Sequence, residues 1–122
     1  MVLKLGLLIS DDPDDYPIFY EAFDEIAKDV VILNVGNNEK AIRYLEGNDR
    51  KPDFLIIDLS MPGEETEQVF KAIRSAPALA AIPKLALVDH GPVSTPDTQV
   101  VFINKSADFV DLKKALRKLF AG

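Results

Sequence analysis

The sequence contains no cysteine in 122 residues, so neither a disulfide nor a thiolate-bound metal is possible. Basic residues are the minority: 14 Lys and Arg stand against 20 Asp and Glu, for a net charge of −6. That balance argues against a nucleic-acid surface, which needs clustered Lys and Arg. No apolar stretch approaches the roughly 18 residues of a membrane span. Residues 1–9 carry one lysine, only a short apolar run and no small-residue cleavage site, unlike a secretory signal. Repeats, linkers and low-complexity tracts are also missing. These absences point to a cytoplasmic protein with no nucleic-acid partner and no membrane insertion.

The length suits a single domain, residues 1–122, able to bury a real core. A hydrophobic content of 48% beside 28% charged residues is that of an ordinary soluble globule. Apolar runs alternate with helix-period segments, which predicts an α/β protein with a parallel sheet and helices on both faces. The expected strands are residues 3–9, 30–35, 53–58, 84–88 and 100–103. The expected helices cover residues 14–28, 39–46, 65–75 and 108–120. In the first helix Asp14 or Asp15 can cap, Pro17 is tolerable in the first turn, and Ile18, Ala22, Phe23 and Ile26 form the inward stripe. Ala41, Ile42 and Leu45 face inward in the second, Val69, Phe70 and Ile73 in the third, and Leu112, Leu116 and Leu119 in the last. Residues 89–99 hold two prolines, a glycine and almost nothing apolar, so a long regular helix is not expected there.

The chemistry gathers at strand ends. Asp58 closes the apolar run Phe54-Leu55-Ile56-Ile57 and precedes Leu59-Ser60-Met61-Pro62-Gly63. A carboxylate there costs free energy unless something pairs or binds it, and ligands of open α/β sheets sit at such ends. Asp11 and Asp12 end the first run, and Lys105 ends the last. Two acidic positions and a lysine, each on a separate strand, suit a phosphoryl and divalent-metal site. A carboxylate can attack phosphorus to form an acyl phosphate, and a lysine ammonium is a compact charge for a phosphoryl oxygen. The plainer alternatives are turn and cap roles for Asp11 and Asp12, a buried Asp58 held by loop amides, and a solvated Lys105.

These residues resemble those of two-component response-regulator receiver domains. The likeness runs from about Leu3 to Phe120 and rests on Leu7-Leu8-Ile9-Ser10-Asp11-Asp12-Pro13-Asp14-Asp15, Asp58-Leu59-Ser60-Met61-Pro62, Ile82-Pro83 and Lys105. It implies a doubly wound, flavodoxin-like receiver fold with five parallel strands in the order 2-1-3-4-5, its fourth helix shortened or missing. It implies that Asp58 takes a phosphoryl group from a sensor histidine kinase or phosphotransfer protein, that Lys105 contacts that group, and that an unknown downstream protein reads the result. It implies Mg²⁺ held by Asp11, Asp58 and the backbone carbonyl of Ser60. No enzyme activity is expected beyond Mg²⁺-dependent self-phosphorylation and self-dephosphorylation.

The chain also departs from the family pattern. Ser10 stands where an acid is usual, so Mg²⁺ should bind weakly. Asp12 is adjacent but is expected to cap a turn rather than replace that acid. Val88 stands where a Thr or Ser hydroxyl would bond the phosphoryl group, and valine has none. Asp89 replaces a small residue, and Ser106 the proline after the lysine. Phe102 matches the aromatic switch position, with a half-buried edge aromatic as the equal alternative. His90, the only histidine, is a candidate phosphoryl contact or a solvated loop residue. These features keep a second reading open: a phosphorylation-independent pseudo-receiver acting as an interaction module. A dehalogenase-type phosphatase is disfavoured, since Asp15-Tyr16 stands where its Thr or Val would be. A flavin carrier is disfavoured by the acidic first loop.

Overall fold

The computed structural model describes residues 4–27, 29–36, 38–47, 51–59, 63–75, 80–88, 100–105 and 107–121. Five strands and four helices appear among them in the order β1 (Lys4–Ile9), α1 (Asp15–Ile26), β2 (Val30–Val35), α2 (Asn38–Gly47), β3 (Phe54–Asp58), α3 (Gly63–Ser75), β4 (Lys84–Val88), β5 (Val100–Asn104) and α4 (Phe109–Ala121). The strands form one sheet in the order β2-β1-β3-β4-β5, and every pairing is parallel. This is the order the resemblance implies. The expectation of a short or missing helix in residues 89–99 lies outside the described residues.

Strand periodicity sorts the core into two layers. Leu7, Ile9, Leu55 and Ile57 pack with Val35, Ala41, Leu45 and Ile73 on the α2–α3 face. Leu8, Phe54, Ile56, Leu85 and Leu87 pack with the inward residues of α1 and α4 on the other. All five residues of β3 and of β4 are buried, which is why residues 54–57 and 85–88 read as unbroken apolar runs. The same alternation carries Ser10 and Asp58, two residues beyond Leu8 and Ile56, to the α1–α4 face.

Where their side chains are described, the helices match the expected stripes, with one correction. In α2, Ala41 and Leu45 are buried while Ile42 only packs against that cluster. Leu112, Leu116 and Leu119 of α4 are buried, as is Ile73 of α3; the side chains of Val69 and Phe70 lie outside the described ones. In α1 the buried positions are Asp15, Phe19, Ala22 and Phe23, spaced i, i+4, i+7 and i+8. Ile18 is turned out and 45% exposed. A hydrophobic stripe cannot register an aspartate that faces inward, so the expected phase placed Ile18 where Asp15 and Phe19 set the true one. Asp14 stands at the N-cap but makes no side-chain cap bond; Asp12 Oδ1 accepts the Asp14 N–H at 3.0 Å instead.

Lys84 is fully buried at the start of β4. Its Nζ donates to the carbonyls of Ala80 and Ile82 at 3.1 and 2.9 Å, closing the turn before the strand. A buried ammonium bonded to carbonyls in this way is tolerable where an unpaired one is not.

Candidate functional site

Main-chain bonds between neighbouring strands fix the carboxyl end of the sheet. The Leu59 N–H donates to the Leu87 carbonyl at 2.9 Å, and the Lys105 N–H to the Val88 carbonyl at 2.8 Å. These bonds hold Asp58 and Lys105 on either side of β4. Lys105 Nζ then reaches Asp58 Oδ2 at 3.0 Å, Asp12 Oδ2 at 3.3 Å and Asp15 Oδ2 at 3.6 Å. Asp58 is 0% exposed and Asp15 is 6% exposed, so two of the three carboxylates are out of water.

Ser10 knits the acidic side together. It is 1% exposed. Its hydroxyl donates to Asp15 Oδ2 at 2.7 Å and lies 3.5 Å from Asp58 Oδ2, and its Oγ accepts the Asp12 N–H at 3.1 Å. One hydroxyl thus ties the end of β1, the following loop and the first residue of α1.

The electrostatics follow from this packing. Burial pushes the Asp15 carboxyl above its ordinary value; the Ser10 bond and Lys105 oppose this, while Asp12 and Asp58 reinforce it. Asp12 moves down, chiefly through the Asp14 N–H and then through Lys105. Burial pulls the Lys105 ammonium down, but the ion pairs with Asp58, Asp15 and Asp12 outweigh it and hold the group above its ordinary 10.5. Burial is the largest single influence on Lys105, and only the carboxylates together, by favouring the charged form, outweigh it.

The structure brings Asp58 and Lys105 together, with Ser10 beside them. Val88 is buried at the end of β4, 4% exposed, and paired with Asn104. Phe102 is half-buried on β5, opposite Ala86. Asp11 is exposed, and among the described residues no ion pair joins it to the cluster. Ser60, Asp89, His90 and Ser106 lie outside the described residues. Asp12, expected only to cap a turn, does so through the Asp14 N–H and also pairs with Lys105. Asp15 was not legible as a site residue: in sequence it looks like a helix-start acid, and only its burial beside Ser10 separates it from one.

Whether this set fits a divalent metal can be asked of its donors. Among the described residues, no group of three or more Asp, Glu and His side chains is placed to hold an ion. The carboxylates of Asp12, Asp15 and Asp58 already face an ammonium, and Asp11 is exposed. As arranged, the described residues do not fit a metal.

No known family model matches the chain, and no characterised protein matches it by sequence. Solved structures do. The phosphorylated cyanobacterial phytochrome response regulator RcpA is similar, with 24% identity over 97% of this chain and 91% of that one, at a TM-score of 0.75. A putative response regulator from Chloroflexus aurantiacus is 19% identical over 98% and 99%, at 0.78. The receiver domain of sensor histidine kinase PA1611 from Pseudomonas aeruginosa, with magnesium in its active-site cleft, is 15% identical over 99% and 100%, also at 0.78. The fold is therefore that of response-regulator receivers. No described helix is long and apolar enough to cross a membrane.

Proposed function

We propose that the chain is a signal-transduction receiver in which Asp58 accepts a phosphoryl group from a histidine kinase or phosphotransfer protein in the cytoplasm. The observation that carries this reading is the Asp58–Lys105 pair, 3.0 Å apart at the ends of β3 and β5, across the end of β4. A carboxylate oxygen of Asp58 attacks phosphorus, the bond to the donor's leaving nitrogen breaks, and an acyl phosphate remains. Lys105, already beside that carboxylate, is placed to take a phosphoryl oxygen and offset its charge. The chain then acts as a phosphoacceptor and reports through protein contacts, rather than turning over a separate substrate. Mg²⁺ enters this proposal as a weakly held ion, because it competes with the Lys105 ammonium for the same carboxylate oxygens. Any contribution from Asp11 or the Ser60 carbonyl belongs to the proposal as well.

One observation favours the second reading, an interaction module that works without phosphorylation. Asp58 is wholly buried with Oδ2 held by Lys105 and close to Ser10, and the neighbouring Val88 has no hydroxyl to greet a phosphoryl group. The same valine makes a large switching motion unexpected even when Asp58 is modified, since a switch needs differential contacts with the modifying group.

Amide NMR spectra with and without beryllofluoride, in excess Mg²⁺, separate these readings. The expected result is a set of shifts confined to Ser10–Asp15, Asp58 and Lys105. Unchanged signals at Asp58 and Lys105 would sink the phosphoryl-site reading. Shifts spreading through residues 89–99 and Phe102 would show a switch that operates despite Val88.

A further inference from the structure

We infer that Asp15 is the second acid of the Asp58 pocket, and that Lys105 is the built-in cation that holds its three carboxylates together. The argument starts from Ser10. At the end of β1 it faces the same side as Asp58 but brings a hydroxyl rather than a charge. That hydroxyl donates to Asp15 Oδ2 at 2.7 Å, so the acid missing from the strand end is supplied from the first position of α1. A helix-start aspartate is ordinarily solvated, where it complements the helix dipole. Asp15 is instead 6% exposed, although burial of its charge is costly enough to push its carboxyl upward.

Lys105 explains why the arrangement is tolerable. One ammonium has three donors, and it faces three carboxylates from three segments: the loop after β1, α1 and β3, at 3.3, 3.6 and 3.0 Å. A divalent ion in this pocket would compete with Lys105 for these carboxylates. The position of the counter-charge is therefore taken by a tethered side chain, and Asp15 acts as a positioning residue through Ser10 and Lys105. None of this requires Asp58 to be phosphorylated, so failure of the phosphoacceptor reading leaves it standing.

The test is thermal unfolding by circular dichroism of the full chain, Lys105→Met and Lys105→Met/Asp15→Asn, each in EDTA and in about 10 mM MgCl₂. Mg²⁺ should move the wild-type Tm by less than about 1 °C. It should raise the Lys105→Met Tm by about 5 °C or more, because the carboxylates become available to the ion. The double variant should lose more than half of that response. If Lys105→Met is unfolded in EDTA, recovery of its helical signal on adding Mg²⁺ is the expected result. The inference is overturned by a wild-type response as large as the variant's, by a Lys105→Met protein that ignores Mg²⁺ whether folded or not, or by a double variant that keeps the full response.

Discussion

Replacing Lys105 by methionine should lower the unfolding free energy at neutral pH, in EDTA, by about 3–5 kcal/mol, the range for removing one partner of a buried ion pair. The size comes from what is left behind. Asp58 is 0% exposed and would keep a carboxylate with its ammonium gone, beside Asp15, which is also buried. Coulomb attraction to Lys105 offsets their desolvation in the wild type. The raised lysine sets the pH window: its stabilisation is whole below the ordinary 10.5 and is lost only as pH rises through the higher folded value. The gap between wild type and variant should therefore stay constant from neutral to mildly alkaline pH. Adding Asp58→Asn removes the stranded charge, so the double variant should recover more than half of the loss. Urea unfolding of the wild type, Lys105→Met and the double variant checks this. A Lys105→Met loss under about 1 kcal/mol would place the pair among weak surface bridges.

Gly6→Ala should cost about 3 kcal/mol, the upper part of the usual range for overpacking a core. Gly6 is buried on β1 and pairs with Phe54 in the parallel register. A Cβ at Gly6 would stand 2.1, 2.4 and 2.8 Å from three atoms of the Phe54 ring. The ring has little room to retreat, because Phe54 is 1% exposed and lies 5.4 Å from the Phe23 ring, centroid to centroid. The glycine is there for close approach, not for an unusual backbone angle. Phe54→Leu shortens the side chain at the clash, so Gly6→Ala should cost far less in that background. A double-mutant cycle measures the difference; equal costs in both backgrounds would mean that the ring is not the obstacle.

The sheet was legible because residues 7–9 of β1, 54–57 of β3 and 85–88 of β4 are buried apolar runs, and burial on both faces leaves no polar alternation to misread. The strand order was legible only through the resemblance, since nothing in the apolar runs says which strands adjoin. Asp58 and Lys105 could be singled out because charge at the end of an apolar run is conspicuous. Asp15 and Lys84 could not: one is an acid on the inward face of a helix, the other a lysine opening a strand, and polarity alone assigns both to solvent. Each is buried because a specific oxygen or hydroxyl meets it. The α1 phase shares this cause, since the residue that anchors its inner face is Asp15.

The most direct test of Asp58 as phosphoacceptor is intact-mass measurement after incubation with acetyl phosphate or phosphoramidate in excess Mg²⁺. The wild type should gain the mass of one phosphoryl group, and Asp58→Asn should gain none. A wild type that gains nothing from either donor, or an Asp58→Asn protein that still takes up a phosphoryl group, would contradict the assignment.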